Sequence, residues 1–368
     1  MNPFVYHAPI VPEAVIGRER EAAALLEAIQ EGVNATLYAP RRFGKTSLLG
    51  QVLQQAENAG MATVTVDLYG VLTRDDVAAR ISRAYRTLHG PIGRLLEGML
   101  TAVGAGAQIG GTGASLSLER RVAGTEALLI DLLDLPVRLH ERTGRPTVVA
   151  FDEFQSVIDV PGMDALLRSR IQHHGPAAAY VFAGSEPSLL GALFNDRSRP
   201  LYGQAQPFRL GRLSADAVVQ AVAARFEASN RRIEPRTLEE LVITGAGHPQ
   251  RTMLLAHRLW AVTPPRSQAD ERRWGTALTA TLAQLAIEFE TLWTSMGANE
   301  RRVVAALAEG LSPVATRDGR QVGLKRPSSA QRAIESLSSR GVLETERGSG
   351  SRLVDPLLAL WVLQLRAS

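Results

Sequence analysis

The chain has 368 residues, 45% of them hydrophobic, with a net charge of +4, so it can bury a large core and is expected to form roughly two or three domains. It contains no cysteine, which excludes a disulfide scaffold, a Cys-ligated zinc site and a thiol nucleophile. No basic-then-apolar stretch follows Met1, and the most apolar run, Leu353 to Leu365, is broken by Asp355 and Pro356. A soluble cytoplasmic protein with no membrane partner is therefore expected.

Ala35–Ala39 reads as a short buried strand, and Thr46–Leu53 carries apolar residues at helical spacing. Between them, Ala39-Pro40-Arg41-Arg42-Phe43-Gly44-Lys45-Thr46 fits the phosphate-loop pattern G-x-x-x-x-G-K-[ST], with Ala39 in the first glycine position. Of the 41 basic residues only Lys45 and Lys325 are lysines. Arginine serves wherever a generic positive charge suffices, so a lysine retained inside this octet points to chemistry. A strand, a glycine loop and a helix start place successive N–H groups and the positive end of a helix around an anion. Gly44 permits the tight backbone, Lys45 reaches the β- and γ-phosphates, and Thr46 offers a hydroxyl to Mg²⁺. Pro40, Arg41, Arg42, Phe43 and Ser47 complete the expected nucleotide-binding loop.

Further along, Ala62–Leu68 reads as a strand. Gly104–Gly110 has a dinucleotide-like glycine spacing but no strand before it and no helix after it, and the alternation at Ala114–Leu118 suggests a glycine-rich hairpin or flexible insertion. Pro146–Glu153 is a continuous apolar run ending in two carboxylates, the pattern of a central parallel strand whose carboxyl end faces a ligand. There Asp152 is placed to hold Mg²⁺ and Glu153 to act as general base on water. Ala178–Gly184 and Pro207–Leu210 read as further strands, the first ending at Ser185. His173 and His174 are adjacent, point to different sides of a helix and are expected at the surface rather than on a metal.

These residues resemble a family. Val15-Ile16-Gly17-Arg18-Glu19 looks like the box that precedes the phosphate loop in AAA+ and STAND ATPases. Tyr38–Leu49, Phe151-Asp152-Glu153-Phe154-Gln155 and Phe182-Ala183-Gly184-Ser185 resemble the phosphate loop, acidic strand and sensor strand of the prokaryotic STAND-type "archaeal ATPase" family. Gly247-His248-Pro249 is similar to its lid motif, and Val354–Leu358 to the end of its winged helix. The resemblance implies an α/β P-loop NTPase of the additional-strand class (a parallel sheet), then an α-helical lid and a C-terminal winged-helix domain. It implies ATP or ADP with Mg²⁺ and slow hydrolysis serving as a nucleotide-controlled switch. Ile16 and Gly17 would lie near the adenine, Ser185 would sense the γ-phosphate, and Pro249 with Arg251 would bring the lid to the nucleotide. Two departures stand out. Gln204, where the family often has arginine, cannot be a charged finger, although Arg197 and Arg199 lie nearby. Arg251 is out of register with a sensor arginine.

The expected division is a P-loop ATPase domain over 1–212, a helical lid over 213–270, a connecting helix over 271–297 and a winged helix-turn-helix over 298–368. The lid carries helical patterns at Ala215–Ser229, Pro235–Thr244 and Pro249–Val262, with Ser214 a helix start and Pro264–Gln268 a linker. The last segment reads as helices at Asn299–Glu309, Arg320–Leu324 and Pro327–Arg340, the third capped by Ser328 and Ser329, then two strands flanking the tip Arg347–Ser351. It holds eleven basic and seven acidic residues, the whole net charge of the chain. Gln331 and Arg332, early on the third helix, are candidate contacts to duplex DNA. Glu344 and Glu346 on the wing would repel phosphates and favour a protein partner instead, and both partners stand. A nucleotide-dependent oligomer is the third alternative, and Gln204 counts against a ready trans-acting arginine.

Overall fold

The computed structural model describes residues 2–8, 10–88, 98, 116–314, 321, 323–324, 326–346 and 350–367. The glycine pattern at 104–110, residues 320 and 322 of the helix expected over 320–324, and the hairpin tip at 347–349 lie outside the described residues.

The N-terminal part is built on a five-stranded parallel sheet of β1 (Ala35–Tyr38), β2 (Ala62–Asp67), β3 (Thr147–Asp152), β4 (Ala178–Gly184) and β5 (Gln206–Arg209), in the order β2-β3-β4-β1-β5. The strand standing between the phosphate-loop strand β1 and the acidic strand β3 is thus β4. β2, which intervenes in sequence, lies at the edge. All seven residues of β4 are buried, as a central strand covered on both faces requires. Side chains alternate between two cores. Val148 and Ala150 of β3 and Ala179 and Val181 of β4 face Leu25 and Ile29 of α1 (Glu19–Gln30) and Leu48 and Val52 of α2 (Lys45–Asn58). Val149, Phe151, Tyr180 and Phe182 face the other way, with Phe151 stacked on both Tyr180 and Phe182. That side is covered by α3 (Arg74–Arg86), α4 (Leu116–Leu133), α5 (Leu135–Thr143), α6 (Met163–Ile171) and α7 (Pro187–Asn195).

His174 is not at the surface. It is 4% exposed, and its ring bridges the Tyr180 hydroxyl at 2.5 Å and the Asp134 carboxylate at 3.1 Å. Asp134 also pairs with Arg170. The two partners, at the end of α4 and in β4, are brought together only by the sheet.

The C-terminal part follows as α8 (Ala215–Ala228), β6 (Arg232–Ile233), α9 (Pro235–Gly245), α10 (Pro249–Ala261), β7 (Gln268–Ala269), α11 (Glu271–Thr294), α12 (Ala298–Ala308) and α13 (Pro327–Ser339). The antiparallel hairpin β8 (Leu343–Glu346) and β9 (Gly350–Leu353) and the helix α14 (Pro356–Ala367) complete it. Ser214 starts α8 by accepting the Ala217 N–H at 3.2 Å. Ser328 and Ser329 do not cap α13. Arg326 is its N-cap, and Pro327, which has no N–H to satisfy, takes the first position. Pro264–Gln268 is not a free linker either, because β7 pairs in parallel with β6 and the Arg266 N–H donates to Asn230. One apolar cluster runs through all of these helices, from Val222 and Phe226 through Leu254, Trp274 and Phe289 to Val303, Leu337 and Leu357, and it includes Phe4 from the N-terminus. Among the described residues no helix is long and apolar enough to cross a membrane.

Candidate active site

The site forms where β1, β3 and β4 end. Ala39 is fully buried, so a small residue is what this position needs. The chain then curls, with Arg42 at φ 69° and Gly44 at φ 83°, and Gly44 is the N-cap of α2. A Cβ on Gly44 would meet nothing within 4 Å, so the left-handed backbone rather than crowding selects glycine. Phe43 is 1% exposed and packs edge-on against the His248 ring, centroids 4.9 Å apart, which anchors the loop from beneath.

Lys45, at the first turn of α2, donates to Asp152 Oδ1 at 2.5 Å and to Glu153 Oε1 at 3.1 Å. The Thr46 hydroxyl donates to Asp152 Oδ2 at 3.3 Å. The Ser185 hydroxyl, just past β4, donates to Glu153 Oε2 at 2.7 Å, and Gln155 Nε2 donates to the same oxygen at 2.5 Å. Burial pushes the Glu153 carboxyl up, but the Lys45 ammonium and the hydrogen bonds from Ser185 and Gln155 outweigh it and hold it below the usual carboxylate range. Lys45, Thr46, Asp152, Glu153 and Ser185, spread over 141 positions of sequence, therefore meet at one point. Among the described residues no cluster of three or more His or acidic side chains offers a complete metal site. Thr46 and Asp152 are the hard oxygen donors that Mg²⁺ takes from a protein when phosphates supply others.

Beside this point lies a cavity of about 350 Å³. Pro40, Arg41, Arg42, Gly44, Lys45, Thr46, Ser47, Glu153, Ser185 and Pro249 line it. Its other wall has no motif in the sequence: Val5, Tyr6, His7, Ala8 and Ile10, with Tyr69, Gln250 and Met253. The N-terminal segment is strapped there because Phe4 packs on Phe226 (5.6 Å), the Phe4 carbonyl meets the His257 ring (2.8 Å) and the Ile10 N–H donates to Ser47 Oγ (3.2 Å). Two aromatic residues, Phe4 and Tyr6, are the local hint of it.

Ile16, Gly17 and Arg251 do not line the cavity. Ile16 packs on the C-terminal cluster. Gly17, at φ 60°, lies so close to α8 that a Cβ would fall 2.6 Å from that of Ala217. The box instead ties the loop to the chain beyond β5, since Arg18 donates to Gly211 O at 2.7 Å and Phe43 O at 3.4 Å. Arg251 is 1% exposed and is spent on Asp355 (2.6 Å) and Glu288 (3.2 Å). Glu288 also holds Arg42 at 2.7 Å, so the loop, α10, α11 and the start of α14 are joined by one chain of ion pairs. His248 sits among these cations. Burial first, then Arg251, Arg212 and Arg42, lower its imidazole from 6.5 to about 3.

Glu344 is turned inward. It is 8% exposed and paired with Arg212 at 2.6 Å and Arg352 at 2.8 Å, so it presents no charge to a passing phosphate backbone. Gln331 and Arg332 are exposed on α13, do not line the cavity, and among the described residues bond within their own helix, to Glu335 and Ser328. Gln204 accepts from Arg168 at 2.6 Å, and Arg199 pairs with Asp164 at 3.4 Å.

A family model described as an AAA-like domain matches residues 12–96. No curated protein matches the sequence. Among solved structures, the Walker-type ATPase of Pyrococcus abyssi aligns with a TM-score of 0.70 at 20% identity, over 98% of this chain and 99% of that one. The Aeropyrum pernix ORC2 protein, solved as ADPNP–ADP complexes, aligns at 0.60 and 16% identity over 100% and 98%. The ORC1 protein of the same organism, solved in complex with DNA, aligns at 0.52 and 15% identity over 100% and 97%. With the sheet order, the glycine loop at the head of α2 and the acidic end of β3, this likeness establishes a P-loop NTPase fold.

Proposed function

We propose that the chain is a Mg²⁺-dependent ATPase whose nucleotide state works as a switch. The observation that carries this reading is the convergence of Lys45, Thr46, Asp152, Glu153 and Ser185 at the N-terminus of α2, on the rim of a nucleotide-sized cavity. Backbone N–H groups of the loop and the positive end of α2 would receive the phosphates. Lys45 would exchange its carboxylate partners for the β- and γ-phosphates. Thr46 and Asp152 would hold Mg²⁺, which when bound neutralises charge on the triphosphate. Glu153 would accept the proton of the attacking water, and Ser185 would hold that carboxylate in place. Tyr6, Ile10 and Met253 supply an apolar wall suited to the flat face of a purine base. ATP over GTP follows the family resemblance.

The switch reading rests on Arg42. A phosphate arriving at the loop competes with Glu288 for its guanidinium, and Glu288 shares Arg251 with Asp355 at the head of α14. Titration calorimetry with ATP and ADP in Mg²⁺ tests the core of the proposal. The wild type should bind and, at about 100 times Kd, gain about 2.7 kcal/mol of stability, and Lys45→Met should do neither. Glu153→Gln should bind without turnover. No binding heat from the wild type would overturn the reading.

A second reading gives the C-terminal segment a duplex-DNA partner through a winged helix. Its support is the exposed pair Gln331 and Arg332 and the inward pairing of Glu344. DNA affinity should then fall steeply with salt and drop for Arg332→Ala, whereas salt-insensitive or absent binding would favour a protein partner. A ring on a non-hydrolysable ATP analogue in sedimentation would favour a motor, and a monomer the switch.

A further inference from the structure

We propose that Gln155 is a positioning residue for Glu153: together with Ser185 it anchors Oε2 of that carboxylate, leaving Oε1 alone to take the proton of the attacking water once Lys45 turns to the phosphates. The inference rests on the ATPase reading and goes beyond it to a residue with no assigned role.

Glu153 has φ 51°, a left-handed conformation rare for a side chain of its size, and a 3-10 turn (Phe154–Asp159) follows it. Through that bend the side chain two residues on reaches the Glu153 carboxylate. Gln155 is 6% exposed, and its Nε2 lies 2.5 Å from Glu153 Oε2 and 3.4 Å from Ser185 Oγ. The amide orientation is dictated by chemistry, because an ionised carboxylate only accepts, and the flipped amide would set two acceptors against each other. The other end of the amide is the informative one. Among the described residues Gln155 Oε1 is buried without a hydrogen-bond partner. It lies against Gly184, where a Cβ would stand 2.6 Å from it. A side chain retained for packing would be apolar and would leave no orphaned carbonyl. What glutamine adds here is the donor aimed at Glu153, and Gly184 supplies the room for it.

The two carboxylate oxygens are thereby made unequal. Among the described residues Oε2 receives Ser185 at 2.7 Å and Gln155 at 2.5 Å, whereas Oε1 receives only Lys45 at 3.1 Å. When Lys45 leaves for the phosphates, Ser185 and Gln155 remain to hold the carboxylate in place. In the step itself the water oxygen bonds to the γ-phosphorus, the β–γ bridging bond breaks with its electron pair going to ADP, and the water proton passes to Oε1. Glu153 then returns that proton to solvent.

The test uses the full chain as wild type, Gln155→Met, Gly184→Ala and the double variant. Gln155→Met removes the donor at similar volume, and Gly184→Ala displaces the amide without altering it, while also pressing on Leu190 Cδ2 at 3.2 Å. Three quantities are measured: Kd for ATP–Mg²⁺ by calorimetry, kcat at saturating ATP, and the orientation of the Glu153 carboxylate in crystals of the nucleotide-free proteins. The expected result is Kd within about threefold of wild type, kcat down about tenfold or more, and a Glu153 carboxylate turned away from the position that Ser185 and Gln155 fix in the wild type. Gly184→Ala should reproduce this, and the double variant should be no worse than the worse single change. An unmoved Glu153 carboxylate in Gln155→Met, or a Kd lost in step with kcat, would overturn the inference. Failure of the wild type to bind nucleotide would overturn the ATPase reading by itself, and the nucleotide-free crystals would still decide whether Gln155 holds Glu153.

Discussion

Exchanging His248 for asparagine should remove an acid-side loss of stability. His248 is 2% exposed, its Nδ1 accepts the Arg251 N–H at 3.3 Å as the N-cap of α10, and its ring meets Phe43 edge-on. Burial and the neighbouring Arg251, Arg212 and Arg42 lower its imidazole from 6.5 to about 3, so the folded chain keeps it neutral. The unfolded chain protonates it below about 6.5 and there binds more protons than the folded one. Stability from this group is therefore complete above about 6.5 and declines as pH falls from there towards 3. At about 1.4 kcal/mol per pH unit, moving from pH 8 to pH 5 costs about 2 kcal/mol. Asparagine keeps a capping acceptor and does not titrate. It loses the ring contact, worth about 0.5–1.5 kcal/mol at any pH. Urea unfolding followed by tryptophan fluorescence suits the site, since Trp260, Trp274, Trp293 and Trp361 all lie in the C-terminal part. His174, whose imidazole is also lowered by burial, titrates in both proteins and cancels in the comparison. The wild-type advantage at pH 8 should shrink by about 2 kcal/mol at pH 5, and parallel pH profiles would refute the reasoning.

Three further outcomes are expected. Gly247→Ala should cost about 3 kcal/mol or more by chemical denaturation, because φ is +69° and the new Cβ would lie 2.4 Å from the Leu213 carbonyl. Gly175→Ala, at φ +43° with nothing within 4 Å, should cost about 1 kcal/mol, and equal costs would contradict the geometry. Arg212→Ala leaves the buried Glu344 carboxylate with Arg352 alone and strips donors from the Leu353 and Val354 carbonyls. A loss of about 3–5 kcal/mol and faster proteolysis after residue 340 should follow, partly restored by adding Glu344→Gln. Arg42→Ala breaks a half-exposed pair and should change stability by less than about 1 kcal/mol. It should nonetheless uncouple α11 and α14 from nucleotide in hydrogen exchange, and an undiminished response to ATP would remove Arg42 from the switch.

The octet around Lys45 and the acidic end of Pro146–Glu153 were legible as residues because each motif is local: strand, turn and helix start follow within a few residues, and the apolar spacing repeats over a single element. The helices of the C-terminal part were legible for the same reason. Arg251, His174 and Glu344 were not, because composition assigns charged and polar side chains to the surface unless partners are known. Those partners lie far along the chain, with Asp355 104 residues from Arg251 and Glu344 132 from Arg212. The cavity wall at Val5–Ile10 and the aim of Gln155 likewise follow from packing and from one left-handed residue, neither of which leaves a periodic signal. The chemistry on offer, a phosphate-binding turn and two carboxylates, is written in the residues, because short-range backbone geometry selects those residue types. Which oxygen of Glu153 is tethered, which arginines are buried and what closes the cavity are settled by the packing of the folded chain, because burying a charge is tolerated only where distant elements bring its counter-charge within hydrogen-bond reach.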